Sequence, residues 1–207
     1  MSGIALFGGT FNPPHMGHRR LLESAIQAVM PEKTFIMPDR IPPHKEAQLL
    51  AGADDRLEMC RLAFGDIPGV EISDWELKRE GRSYSIYTVR HLRELFPDGR
   101  LWFIMGSDML LGFEKWYCWE ELLTLCTPLC LARCAEDTMA ALKQAEHLSS
   151  ITGINEAAKI VQAPPLEISS TQLRELISRG SNTEGLIGRE VLDYIKQNGI
   201  YLNSKEK

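Results

Sequence analysis

No run of apolar residues in this sequence is long enough to span a bilayer, so membrane insertion is not expected. The opening MSGIALFGG has no basic region and only a short apolar run, so no signal peptide is expected and a cytoplasmic location follows by default. Paired C-x-x-C spacing is missing. The five cysteines, Cys60, Cys118, Cys126, Cys130 and Cys134, are odd in number and lack zinc-ribbon spacing, which argues against a disulfide framework and a structural zinc. They read as reduced, mostly buried small hydrophobes. Positive charge is not in excess: a net charge of −5 argues against a general nucleic-acid binder, although a local basic pocket can still take an anionic ligand. There is no internal repeat, low-complexity tract or long linker.

What is present suits a packed α/β domain. The chain has 207 residues, 44% of them apolar and 25% charged. Short apolar runs alternate with amphipathic stretches, the pattern of a parallel sheet covered by helices. Strands are predicted at Ile4–Phe7, Thr34–Met37, Val70–Ser73, Leu101–Met105, Pro128–Ala132 and Lys159–Gln162. Leu21, Leu22, Ala25, Ile26 and Val29 recur at helical spacing after the first strand. A second helix, capped by Asp54 or Asp55, would carry Leu57, Cys60 and Phe64 inward. Further helices are predicted at about 85–96, 171–178 and 189–198, the last stopped by Gly199. The expectation is one Rossmann-like domain over residues 1–207, with a small helical extension from about 168 onward.

The most informative segment is Gly8-Gly9-Thr10-Phe11-Asn12-Pro13-Pro14-His15-Met16-Gly17-His18, between the first strand and its helix. Open α/β sheets place ligands at such junctions. Gly8 and Gly9 let the backbone come close to a ligand, and Pro13 and Pro14 stiffen the approach to the helix. His15 and His18, three apart at a helix start, would share a face beside the helix N-terminus and converge on an anion. The segment is neither a G-x-G-x-x-G nor a Gly-Lys-Ser/Thr loop. A glycine turn with two incidental histidines would leave most of the string unexplained. A metal site built on H-x-x-H lacks an evident third ligand, so no protein-held metal is expected.

Near the other end, Ile168-Ser169-Ser170-Thr171-Gln172-Leu173-Arg174 contains a capping box, Ser169 with Gln172, that should open a helix. Arg174, one turn in, could reach an anion at that helix's N-terminus. The two strings resemble the GGTFxPxHxGH and ISSTxxR motifs of the nucleotidyltransferase superfamily. The resemblance implies that His15 and His18 bind the triphosphate of ATP and that Arg174 and the helix N-terminus grip its β- and γ-phosphates. These three residues are the implied catalytic groups. Gly8, Gly9, Thr10 and Phe11, with Ile168, Ser169, Ser170 and Thr171, complete the implied ATP contacts.

The middle of the chain bears on the acceptor. Met37 to Lys45 is a proline-stiffened loop tipped by His44 and Lys45; Gly106-Ser107-Asp108 follows the fourth strand; Lys115-Trp116-Tyr117 comes soon after. Taken alone, Trp116 suits a core position as well as a ring-stacking one. Together with Ser83-Tyr84-Ser85, these segments look like those of the bacterial nicotinate-nucleotide adenylyltransferases, a resemblance running from about Ile4 to Tyr201. It implies that Trp116 stacks on a pyridine ring, that backbone N–H groups at Ser85 and Tyr117 bind its carboxylate, and that Gly106 and Asp108 lie at the nucleotide, with Asp108 on a ribose. His44 and Lys45 would lie near the acceptor phosphate, and Asn12, Tyr84 and Arg133 would also face the acceptor. The chain departs from the family pattern in having Asn12 for Asp, Asp39 for Asn, Ser85 for Thr, and Arg133-Cys134-Ala135 for Arg-Pro-Gly or Arg-Arg.

The implied reaction joins ATP and nicotinate mononucleotide into nicotinate adenine dinucleotide and pyrophosphate, a step of NAD biosynthesis. Mg²⁺ would travel with ATP, and the resemblance leaves room for a homodimer. A phosphate monoester is already a nucleophile at neutral pH, so catalysis would rest on positioning and charge stabilisation. Two rivals differ in what they leave unexplained. Pantetheine-phosphate adenylyltransferases take an acceptor without an aromatic ring, which leaves Trp116-Tyr117 without a purpose. A regulatory nucleotide binder without turnover would not need both histidines and Arg174.

Overall fold

Strand β1 (Ile4–Gly9) alternates its side chains between two buried faces, and that alternation organises the molecule. Ile4 and Leu6 enter one core cluster, Ala5 and Phe7 the other. The computed structural model describes residues 3–40, 50–164 and 168–202. Among them, five further strands follow: β2 (Lys33–Pro38), β3 (Val70–Ile72), β4 (Leu101–Gly106), β5 (Thr127–Ala132) and β6 (Lys159–Gln162). They form one sheet in the order β3-β2-β1-β4-β5-β6, every pair parallel. Parallel neighbours need crossover connections, and the helices that supply them cover both faces, so β4 is buried at every residue.

The helices are α1 (Met16–Val29), α2 (Ala53–Phe64), α3 (Trp75–Lys78), α4 (Ser85–Leu95), α5 (Ser107–Leu111), α6 (Trp119–Leu125), α7 (Ala135–Thr152), α8 (Ser170–Ser178) and α9 (Arg189–Gln197). A short 3-10 turn, Phe113–Lys115, precedes α6. On one face, Leu22 and Ala25 of α1 meet Cys60 and Phe64 of α2 over Phe7, Ile36 and Ile104. The other face gathers Ile86, Val89 and Leu92 of α4, Leu122 and Leu123 of α6 and Leu148 of α7 over Leu6, Met37 and Phe103. Burying one such Leu or Ile contributes about 1.5–3 kcal/mol. A third cluster joins Met59 of α2 to Leu173 and Ile177 of α8 and Val191 and Ile195 of α9, which seats the C-terminal helices against α2.

All six predicted strands are present, displaced by at most two residues at an end. The largest omission of the sequence reading is α7, 18 residues long. Its buried positions are Ala141, Ala145 and Leu148, so two of its three inward side chains are methyl groups and the apolar period is faint. The cap of α2 is also corrected: it is Gly52, while Asp54 and Asp55 lie in the first turn. There their charges favour the positive end of the helix dipole, and Asp55 accepts a 2.9 Å hydrogen bond from the Tyr194 hydroxyl. Five free cysteines are found; Cys60, Cys126 and Cys130 are buried, whereas Cys118 is half-buried and Cys134 exposed. Burial pushes the Cys126 and Cys130 thiols up to about 12, keeping them protonated. Among the described residues no helix is long and apolar enough to cross a membrane.

Strand order reverses between β1 and β4, and sheets of this type open a crevice beyond the carboxyl ends of the strands at that point. The Gly8–His18 loop leaves β1 there, and Gly106-Ser107-Asp108 leaves β4.

Candidate active site

His15 caps α1 with an extended backbone, and His18 is the third residue of that helix. The His15 N–H, an orphan donor at a helix start, donates to His18 Nδ1 at 3.2 Å. With Nδ1 accepting, the proton of the neutral His18 ring sits on Nε2. The two rings lie 3.8 Å apart between centroids at 32°. Phe11 supports them from below: only 2% exposed, it meets the His18 ring edge-on at 5.3 Å and packs on Phe7 and Phe64. Its φ of 48° is costly for a residue with a Cβ, and the packing around the ring holds it there. At Gly17 a Cβ would stand 3.0 Å from the His15 ring, so a side chain there would press on that ring. At Gly8 the nearest atoms would be 3.8 Å away, so the protein itself leaves room for a side chain there.

Burial, and secondarily the positive charge of Arg133, lower the His15 pKa to about 4, so this imidazole is neutral at physiological pH. His15 is 8% exposed and its Nδ1 has no hydrogen-bond partner among the described residues. The other buried side-chain nitrogen without one is Arg174 Nε.

The capping box of α8 is formed as the sequence predicts: Ser169 Oγ accepts from the Gln172 N–H at 3.2 Å, and Gln172 Oε1 accepts from the Ser169 N–H at 3.0 Å. Such a cap is worth about 1 kcal/mol. Its further effect is to fix where α8 points. Ser170 Oγ donates to the Pro13 carbonyl at 3.0 Å, and Arg174 Nη1 donates to the Asn12 carbonyl at 2.8 Å. Arg174 Nη2 donates to Thr171 Oγ1 at 3.2 Å. Ile168 packs near Gly17, its Cγ2 3.5 Å from where a Cβ on that glycine would stand. The two motifs, far apart in sequence, are thus one structure.

Sequence reasoning missed Arg56. This guanidinium, 1% exposed, donates through Nη1 to the carbonyls of Thr10 (2.9 Å) and Asp39 (2.7 Å), and through Nε to that of Ala51 (3.3 Å). Asp39 Oδ1 stands 3.5 Å from Nη1, and Asp39 Oδ2 accepts from the Thr10 hydroxyl at 3.0 Å. Arg56 therefore joins the loop after β1 to the loop after β2. The available signal was its place one turn before Cys60, on the buried face of α2. Asn12 serves the same junction: its side-chain oxygen accepts from the Ala51 N–H at 3.0 Å and from the Tyr201 hydroxyl. That oxygen ties the loop after β1 to Ala51 and to Tyr201 near the end of the chain.

On the other side of the crevice, Gly106 caps α5, and its missing Cβ leaves space for the Asp108 carboxylate, which would lie 2.7 Å from it. Trp116 is packed against Phe113 (5.1 Å, stacked) and meets Phe103 edge-on at 5.7 Å. Tyr117 is half-exposed, with its ring 5.0 Å from that of Tyr84. Ser85 is the first residue of α4, with Tyr84 as its cap; N–H groups in a first helical turn have no partner within the helix and suit an anion. Arg133 is exposed between β5 and α7, and its charge is felt by His15. His44 and Lys45 lie outside the described residues.

Residues 6–176 match the cytidylyltransferase-like family. A Bacillus subtilis protein named nicotinate-nucleotide adenylyltransferase is 33% identical over 201 residues, covering 97% of this chain and 99% of its own. One from Caldicellulosiruptor bescii, named "Probable nicotinate-nucleotide adenylyltransferase", is 36% identical over 198 residues, covering 96% and 98%. In fold, the chain is similar to the solved structure titled "Plasmodium falciparum nicotinic acid mononucleotide adenylyltransferase complexed with NaAD", with a TM-score of 0.76 at 18% identity over 97% and 98% of the two chains. With its two motifs locked together at the mouth of the sheet and its sequence aligned to these relatives over nearly all of its length, the chain belongs to the cytidylyltransferase-like family and, within it, to the nicotinate-nucleotide adenylyltransferases.

Proposed function

We infer that the protein transfers the adenylyl group of ATP to nicotinate mononucleotide, releasing pyrophosphate and forming nicotinate adenine dinucleotide. The observation that carries this reading is the junction of the two motifs at the mouth of the sheet, where Ser170 donates to the Pro13 carbonyl and Arg174 to the Asn12 carbonyl. That junction brings the starts of α1 and α8 together, and N–H groups at helix starts favour a polyphosphate.

In this reading a phosphate oxygen of the mononucleotide attacks the α-phosphorus of ATP in line, and the bond from that phosphorus to the bridging oxygen of pyrophosphate breaks. His18 donates from Nε2 to an oxygen on the α-phosphorus, where charge accumulates in the transition state. Arg174 holds the departing pyrophosphate while keeping the Asn12 carbonyl in place. The room above Gly8 admits the phosphate close to the backbone. Mg²⁺ would arrive on the triphosphate and neutralise its charge. The described residues bring no three His, Cys, Asp or Glu side chains together to hold it separately. On the acceptor side the pyridine ring stacks near Trp116, and N–H groups of Ser85 and Tyr117 bind its carboxylate. The free, mostly buried thiols suit a reducing cytoplasm.

The test is pyrophosphate release by the purified protein with ATP, Mg²⁺ and either nicotinate or nicotinamide mononucleotide. Turnover with the nicotinate form supports the reading; no turnover with either mononucleotide overturns it.

A further inference from the structure

Three carbonyls of the Gly8–His18 loop are held by side chains from outside it. Arg56 of α2 donates through Nη1 to that of Thr10 at 2.9 Å. Arg174 and Ser170 of α8 donate to those of Asn12 and Pro13 at 2.8 Å and 3.0 Å. The last two contacts are the junction of the motifs; Arg56 belongs to neither motif. Each carbonyl is half of a peptide unit, and the following residue supplies the other half. After Asn12 and Pro13 come Pro13 and Pro14, whose ring nitrogens carry no proton. After Thr10 comes Phe11, so Arg56 holds the one peptide of the three that has an N–H to direct.

In a planar trans peptide the C=O and the N–H point in opposite directions. The same guanidinium shows this at a second peptide. Nη1 also takes the Asp39 carbonyl at 2.7 Å, and the N–H of that peptide, on Arg40, reaches away to Ser83 Oγ at 3.0 Å. The Thr10–Phe11 peptide is trans as well. Its carbonyl is drawn onto a guanidinium 1% exposed, which leaves the Phe11 N–H pointing away from Arg56. Two further contacts fix the guanidinium: Nε donates to the Ala51 carbonyl at 3.3 Å, and Asp39 Oδ1 lies 3.5 Å from Nη1. Ala51 is itself tied to the loop, since its N–H donates to Asn12 Oδ1 at 3.0 Å. The Phe11 ring, packed against Phe7, His18 and Phe64, anchors the far side of the same peptide.

We propose that Arg56 is a positioning residue for ATP: by holding the Thr10 carbonyl it aims the Phe11 N–H at the triphosphate. This rests on the adenylyl-transfer reading, which brings a polyphosphate to the Gly8–His18 loop. A backbone donor fixed before the ligand arrives needs no reorganisation to bind it. A lysine at position 56 keeps the charge but cannot take the place of the fork. The carbonyls of Thr10, Asp39 and Ala51 are met by two nitrogens of one rigid plane, and a single ammonium does not span them.

The test has two arms. In the first, wild-type protein labelled with 15N-phenylalanine is titrated with inorganic tripolyphosphate and followed by NMR. In the second, the Kd for ATP is measured by calorimetry for wild type and Arg56→Lys. Wild-type turnover with ATP and nicotinate mononucleotide checks the underlying reading separately, before either arm is compared. The Phe11 amide proton should move downfield as tripolyphosphate binds, the sign of a new hydrogen bond to an anion. A Phe11 signal that stays in place while tripolyphosphate binds overturns the proposal, and this arm does not depend on the variant folding. In folded Arg56→Lys the Kd for ATP should rise about tenfold or more, the loss expected for one hydrogen bond to a charged group. The Phe11 shift at saturation should shrink with it. A role confined to stability would lower Tm and leave both the Kd and the Phe11 shift as in wild type, and that result overturns the proposal.

Discussion

Arg174 donates a 2.8 Å hydrogen bond to the backbone carbonyl of Asn12, a residue 162 positions earlier, so the arginine proposed to hold the triphosphate is also a strut of the Gly8–His18 loop. Replacing it with lysine removes both functions, because one ammonium cannot reproduce the planar fork that reaches Asn12 and Thr171 together. Arg174→Lys should weaken ATP binding at least tenfold in calorimetry. Unchanged affinity would place Arg174 away from the triphosphate.

His18→Ala should lower kcat by two orders of magnitude or more while leaving KM for the acceptor within a few-fold. The donor it removes is matched to charge that grows only in the transition state. Near wild-type turnover would make the loop structural.

His15 gives a pH prediction. Its native pKa, about 4, lies below the ordinary 6.5, so the unfolded chain binds the proton more readily. The stability it contributes is present above pH 6.5 and lost as pH falls through 4. NMR titration should find a neutral His15 ring at pH 6 in the free protein. A bound triphosphate, favouring the imidazolium, should move the titration upward.

Glu76 has the opposite sign. Burial, with a smaller push from Asp39, raises its carboxyl to about 7, against hydrogen bonds from Thr88 and Ser83 and the charge of Arg79, which lower it. The native state therefore binds the proton more tightly than the unfolded chain. Its stabilising contribution is complete below about pH 4.5 and lost as pH rises through 7. Glu76→Gln should gain stability on wild type between pH 5 and pH 8, on the order of 1–3 kcal/mol, read from urea unfolding midpoints at several pH values. A constant difference across that range would mean Glu76 does not titrate there.

Wild-type enzyme should prefer nicotinate to nicotinamide mononucleotide by tenfold to over a hundredfold in kcat/KM. Two N–H donors pair with a carboxylate but leave an amide NH₂ facing a donor, a mismatch of about 1–3 kcal/mol. Trp116→Ala should weaken both substrates alike, since ring stacking does not distinguish them, and should also lower Tm through lost packing on Phe113 and Phe103.

The strands and the two phosphate motifs were legible because each is dictated locally. β1 and β4 are short, wholly apolar runs, and the Ser169–Gln172 cap is complete within four residues. α7 was illegible because alanines bury without announcing a period. Arg56 and Glu76 were illegible for another reason: a charged residue in sequence reads as solvated, and only the fold shows carbonyls or hydroxyls gathered around it. The resemblance implies an acceptor contact for Asn12. Its side-chain oxygen is committed to Ala51 and Tyr201, which no spacing rule could foretell.

The Tyr201 hydroxyl reaches Asn12 across 189 positions, and this has a consequence for synthesis on the ribosome. The loop that is translated first has its carbonyl braced by Arg174 and its side chain braced by Tyr201, both made long afterward. A nascent chain that has already laid down β1 to β5 can complete most of the sheet, yet its phosphate loop lacks both supports until α8 and the segment after α9 have left the exit tunnel. Premature termination anywhere before Arg174 therefore yields a product with the signature histidines and without the two late contacts that brace Asn12 beside them.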